Sequence, residues 1–148
     1  MKVAVIDDEK DMRLSITQWL ALSGYEPESF ASAEDAIVNI GPNYPGVVVS
    51  DIKMPGMDGM TLLRKLIGQD SNLPIILITG HGDVPMAVEA MRLGAFNFLE
   101  KPFEPEELTK LIKSAVRKRR LTLENRELRN ELSDGSKIIK KLIGTSKI

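Results

Sequence analysis

The chain has no cysteine, so disulfides and thiolate metal sites are excluded. That absence suits a reducing compartment. It also has no apolar run approaching the length of a membrane span, and its N-terminal "MKVAVIDDEK" turns acidic too early for a signal peptide. A cytoplasmic protein without membrane contact is expected. Neither sign of charge dominates: the formal net charge is -1 over 148 residues, which argues against a chain that binds nucleic acid along its whole length. Apolar residues, by contrast, are in normal supply for a globular protein, so a core can form. The length fits one ordinary domain with something short attached.

Short apolar runs alternate with longer amphipathic stretches. The runs are "KVAVI" (2–6), "VVVS" (47–50), "PIILIT" (74–79) and "AFNFLE" (95–100), with a weaker "YEPESF" (25–30) whose Pro27 suggests an edge strand. Helix-like segments lie near 10–23, 33–40, 58–68, 84–92 and 104–133. Gly24, Gly68 and Gly94 stand where helix C-terminal caps are expected. Ser32, Asp58 and Asp83 stand where N-caps are expected, and Pro105 opens the last helix. Five strands alternating with five helices predict an α/β fold, a parallel sheet covered on both faces. Near-continuous apolar strands are what such a sheet requires.

The last helical segment runs about thirty residues without Gly or Pro. Leu108, Leu111, Ile112 and Ala115 form a stripe broad enough to pack on the sheet. The pattern then narrows: Leu121, Asn125, Leu128 and Leu132 follow the 4-3-4 spacing of a coiled-coil seam. In that register Asn125 takes an a position, where an amide favours a parallel dimer, and Glu124 and Arg129 take g and the following e. Leu123 falls on the outer face, which the register does not explain. A solvated single helix is the plainer alternative. Asp134-Gly135 stops the helix, and the apolar "KIIKKLIGTSKI" beyond it has no partner element. The expected division is a domain over 1–120, a linker helix over 121–134, and the threshold of a further domain over 135–148.

In an open parallel sheet, sites form outside the carboxyl ends of the strands. Those ends carry Asp7, Asp8 and Glu9 after the first strand and Asp51 after the third. They carry Thr79 and Gly80 at the fourth, and Lys101 with Pro102 after the fifth. Carboxylates gathered at one edge repel one another and raise each other's pKa. A hard divalent cation resolves this, and Mg²⁺ is typically held by one or two carboxylates plus a phosphate. Lys101 adds a point charge suited to a phosphoryl oxygen, Thr79 a hydroxyl, and Gly80 an N–H open to close approach. A carboxylate nucleophile, a divalent metal, a lysine and a hydroxyl make a phosphoryl-transfer site.

"VIDDE", "VVVSDIKMPGMDG", "ILITGHGD" and "FNFLEKPF", in this order at successive strand ends, resemble the receiver domain of two-component response regulators over about residues 1–120. The resemblance implies a flavodoxin-like, doubly wound sheet of five parallel strands in the order 2-1-3-4-5, with the linker helix extending from it. It implies Asp51 as phosphoacceptor and a sensor histidine kinase as donor. Mg²⁺ would be bound by Asp8, Asp51 and the Lys53 carbonyl, with Asp7 acting through a water. Lys101 and Thr79 would contact the phosphoryl group, and Phe98 would be the switch aromatic, here without the hydroxyl that a tyrosine would bring. Lys53 and His81 occupy positions that tune dephosphorylation in this family. The stretch "TGHGDVPMAVEAMRLGAFNFLEKPF", the long helix and "LIGTS" are similar to the NtrC-like and DctD-like sigma-54-dependent activators, in which an AAA+ ATPase domain and a DNA-binding domain follow. That implies a homodimer through the linker helix and a receiver face, with DNA reached only through domains beyond residue 148. No G-x-x-x-x-G-K-[ST] occurs here. A receiver with a helix-turn-helix output alone, or a stand-alone receiver, is the alternative.

Plainer assignments apply elsewhere. Asp58 is read as a helix cap, Glu9 as a solvated neighbour, His81 as a loop residue and "RKRR" (117–120) as a solvated stretch of helix. Two other function classes fit less well. A haloacid-dehalogenase-like phosphohydrolase places its nucleophile in a D-x-D on the first strand, whereas Asp7 and Asp8 are adjacent here and Asp51 lies on the third. A dinucleotide-binding protein needs a third glycine that "GHGDVP" lacks. The chain is therefore expected to be a phosphoacceptor rather than an enzyme that turns over an external substrate.

Overall fold

The computed structural model describes residues 1–133; the expected helix stop at Asp134-Gly135 and the threshold of a further domain lie outside them. The elements are β1 (Lys2–Ile6), α1 (Lys10–Leu22), β2 (Glu26–Phe30), α2 (Ala33–Ile37), β3 (Gly46–Asp51), α3 (Gly59–Gln69), β4 (Ile75–Thr79), α4 (Val84–Leu93), β5 (Asn97–Glu100) and α5 (Pro105–Ser133). All strand pairs are parallel and the order is β2-β1-β3-β4-β5, as expected. Pro27 does sit on an edge strand, opposite Val3.

Alternation along each strand sorts side chains to two faces. Val3, Val5, Val47, Val49, Ile76 and Ile78 face one way and pack on Ile16 and Leu20 of α1 and on Leu108, Ile112 and Ala115 of α5. Ala4, Ile6, Val48, Ile75 and Leu77 face the other way and pack on Ala36 of α2, Leu62 and Leu66 of α3 and Ala90 of α4. Both faces of β3 and β4 are buried, which is why these strands carry unbroken apolar runs.

The helix ends follow their caps. Ser32 accepts from the Asp35 N–H and Asp58 from the Thr61 N–H, at 3.1 and 2.8 Å, and Gly94 closes α4 in the left-handed region. Three expectations need correction. Gly68 is not a cap: α3 runs through it to Gln69, and Asp70 ends the helix by donating its N–H to Leu66. Asp83 stands at the N-cap of α4 without making a capping bond, because its carboxylate is 3.2 Å from Lys53 Nζ. The "RKRR" stretch is not uniformly solvated, for Arg119 is fully buried. Among the described residues no helix is long and apolar enough to cross a membrane.

Candidate functional site

Asp7, Asp51 and Lys101 share a parity. They continue the alternation of Val5, Val49 and Leu99, all on the face covered by α1 and α5, so they leave their strands on one side of the rim. Asp7, Asp8 and Asp51 offer carboxylate oxygens that all lie within 4.8 Å of one another. Lys101 Nζ is 3.4 Å from Asp51 Oδ2. Thr79 is buried at the end of β4, one residue beyond the partner of Asp51 in the register, and its carbonyl accepts from the Lys101 N–H at 2.8 Å.

The three carboxylates are not equivalent. Asp8 and Glu9 are exposed. Asp7 is buried, and its Oδ1 accepts from the Glu9 N–H at 2.9 Å while Oδ2 has no partner. Burial pushes the Asp7 carboxyl above the ordinary aspartate value, with Asp51 adding to the push. Burial does the same to Asp51, and the Lys101 ammonium opposes it. An unpartnered buried oxygen within a like-charged trio fits a hard divalent cation, since all the donors are carboxylate oxygens.

The rim is braced by residues that the motifs did not single out. Arg13 Nη1 donates to the Asp7 carbonyl at 2.7 Å. Glu34 accepts from the Met57 N–H at 3.0 Å and so ties α2 to the loop after Asp51. Gly59 donates to the Ile52 carbonyl at 2.7 Å, and a Cβ there would overlap the Asp51 carbonyl oxygen and meet Ile52 Cα at 2.7 Å. Glycine is thus required where the start of α3 meets the end of β3; the "MDG" motif contains it, but only the packing explains it.

Other candidates stand apart from the trio. Phe98 is half-buried on β5 and belongs to neither core cluster. The Lys53 side chain points to Asp83 rather than to Asp51. Gly80 leads into a loop whose Gly82 N–H is held by Glu100 at 3.0 Å. Exposed His81 lies 3.9 Å from the same carboxylate. The Lys101-Pro102 peptide is cis. Leu121, Asn125, Leu128 and Leu132 are all exposed on α5.

The profile of the response regulator receiver domain matches residues 3–113. The chain belongs to the response regulator receiver family. This receiver is 49% identical, over 86% of its length, to the C4-dicarboxylate transport transcriptional regulatory protein DctD of Rhizobium meliloti, of which it spans 28%. It is 49% identical, over 78% of its length, to the transcriptional regulatory protein FixJ of Bradyrhizobium diazoefficiens, of which it spans 56%. Among solved structures it resembles a response regulator receiver domain protein from Clostridium thermocellum. There the TM-score is 0.75 at 32% identity, covering 82% of this chain and 98% of that one. The receiver thus spans between about a quarter and a little over half of these two curated relatives. The dicarboxylate-transport type that its motifs resemble is among them. Receiver domains are regulatory phosphoacceptors that bind Mg²⁺ through acidic residues, and the acidic trio is present here.

Proposed function

We propose that this receiver takes a phosphoryl group onto Asp51 from a phosphohistidine of a sensor histidine kinase. The observation that carries the reading is the position of Asp51: it belongs to the acidic trio and is also the carboxylate that Lys101 approaches. An Asp51 carboxylate oxygen attacks phosphorus in line, the bond from phosphorus to the histidine nitrogen breaks, and an acyl phosphate remains on Asp51. Lys101 lies beside the developing charge and neutralises part of it. A bound Mg²⁺, held by Asp8, Asp51 and the Lys53 carbonyl with Asp7 reaching it through a water, would supply the rest of the charge neutralisation. Met12, Trp19, Pro102 and Phe103 line a recess that also reaches Lys101 and Gly80, giving an incoming donor protein an apolar contact beside the nucleophile.

Phosphorylation then draws the Thr79 hydroxyl and the Gly80 N–H toward the new oxygens. Phe98 moves into the space that Thr79 leaves, shifting a two-state equilibrium at the face made by α4, β5 and α5. The receiver over residues 1–120 passes this to a dimerising helix over 121–134, and through it to an ATPase and DNA-binding output that begins near 135. The similarity to DctD supports that output. The similarity to FixJ favours a second reading, a regulator with a different DNA-binding output; ATP hydrolysis by the full-length gene product separates the two. The test of the central reading is labelling with acetyl phosphate and Mg²⁺. One phosphate is expected, mapping to Asp51 and absent from Asp51→Asn. A phosphate on another residue, or full labelling of Asp51→Asn, overturns it.

A further inference from the structure

At the amino end of the sheet, opposite the acidic rim, one carboxylate gathers donors from its own loop and from two distant parts of the chain. Asp70, at the end of α3, accepts at Oδ2 from Arg119 Nη2, Arg126 Nη1 and the Asn43 N–H, at 2.8, 3.0 and 3.2 Å. At Oδ1 it accepts from Arg126 Nη2 and the Asn72 N–H, at 2.7 and 3.1 Å. The Asp70 side chain is 2% exposed, that of Arg119 is fully buried and that of Arg126 is 29% exposed. Arg119 Nε also donates to the Tyr44 carbonyl at 3.0 Å. Asn43 adopts a left-handed backbone, φ 65°, and its side-chain Oδ1 accepts from Arg126 Nη1 at 2.7 Å; asparagine tolerates that conformation better than most residues. A left-handed residue, a buried arginine and a carboxylate with five donors make a built junction rather than an accidental surface contact.

Both arginines belong to α5, and Arg126 lies in the part of α5 that the heptad pattern assigns to the linker. Arg119, Leu123 and Arg126 are spaced four and three apart and share one face. Leu123, which the coiled-coil register does not explain, is half-buried there. At ~100° per residue this face lies roughly 160° around the helix from the face of Leu121, Asn125, Leu128 and Leu132.

We propose that Asp70, Asn43, Arg119 and Arg126 form a clamp that makes the linker helix one body with the receiver. The clamp holds the back of the helix and turns its leucine seam outward for a second copy of this chain. In the resulting parallel dimer the two receivers sit on opposite outer sides of the coiled coil. The partner rests on the dimer reading above; the clamp does not.

The full chain contains no cysteine, so two introduced ones report cleanly. Spin labels on exposed α3 and α5 positions, Lys65→Cys and Glu127→Cys, diluted tenfold with unlabelled chain, measure the distance within one chain. The parent and Arg120→Gln, which removes an equal charge from an exposed site, are expected to give the same single narrow distribution. Arg126→Gln and Asp70→Asn are expected at least to double its width. Arg126→Gln keeps the Arg119–Asp70 pair, so it remains informative if Asp70→Asn does not fold. A distribution in Arg126→Gln as narrow as the parent's overturns the clamp. Acetyl phosphate labelling of the same samples is expected to agree within twofold; its loss in the parent would overturn the phosphoacceptor reading while leaving the distances to stand. Sedimentation separately decides the partner: fewer dimers in Leu121→Asp and Leu128→Asp than in the parent support a seam facing a second copy, and unchanged mass overturns it.

Discussion

Buried aspartates stand at both ends of the sheet, and their surroundings differ in kind. At the carboxyl end Asp7 keeps an oxygen without a partner, beside two more carboxylates, and its carboxyl is pushed up. At the amino end Asp70 is saturated by hydrogen bonds, and Arg126 and Arg119 hold its carboxyl far below the ordinary value. One residue type therefore serves two purposes. Where every lone pair is used, the charge fastens elements together. Where lone pairs are left over and like charges crowd, the carboxylates stay open to a cation.

The largest effect should come from breaking the saturated end. Asp70→Asn leaves the buried Arg119 guanidinium without its counter-charge, and a loss of about 3–5 kcal/mol is expected in urea denaturation. A loss below about 1 kcal/mol would mean that the junction carries little stability. Its pH dependence has a definite sign. The Asp70 pKa is lowered in the folded chain, so its stabilisation is complete above the unfolded aspartate value of about 3.9 and is lost progressively as pH falls below it. The gap between parent and Asp70→Asn should therefore be wide at neutral pH and close as the solution is acidified below that value.

At the other end the same chemical change should do the opposite. Asp7→Asn removes one charge from the trio, so the metal-free chain should unfold at an equal or higher urea concentration, by up to about 1 kcal/mol. On the proposed reading, in which Asp7 reaches the cation through a water, its Mg²⁺ affinity should fall about tenfold or more. Titration calorimetry reads the second effect; destabilisation comparable to that of Asp70→Asn would erase the contrast between the two ends. The smallest effect belongs to the Lys53–Asp83 pair, whose lysine is exposed and whose aspartate is half-buried. Asp83→Asn should free the Lys53 ammonium and change the lifetime of phosphorylated Asp51 by no more than about fivefold, the span of a surface ion pair. The change should vanish when Lys53→Ala is already present; persistence there would assign the effect to Asp83 itself.

The rim was legible because its residues sit where apolar runs stop, and strand alternation brings those ends to one edge. The parallel sheet followed from the alternation of strands and helices, and its strand order from the resemblance that the motifs carry. The amino-end junction was not legible. Arg119 lies in "RKRR", which any charge pattern assigns to solvent, and its partners Tyr44 and Asp70 are distant in sequence. Gly68 invited a helix stop that α3 ignores, because the bond from Asp70 to Leu66 continues the helix past it. Leu123 was the one visible irregularity, an apolar residue on the wrong face of a heptad. Gly59 shows an intermediate case, a motif letter whose reason appears only when α3 is laid against β3.

α5 is one uninterrupted helix from Pro105 to Ser133, so its relation to the sheet is a matter of phase. Each residue inserted after Arg126 would rotate everything downstream by about 100°. An insertion of seven would return it to within about 20° of its starting angle. Spacing in this stretch is therefore counted in turns as well as in length. Two chains with identical leucines and different residue counts would present them to different sides of the receiver.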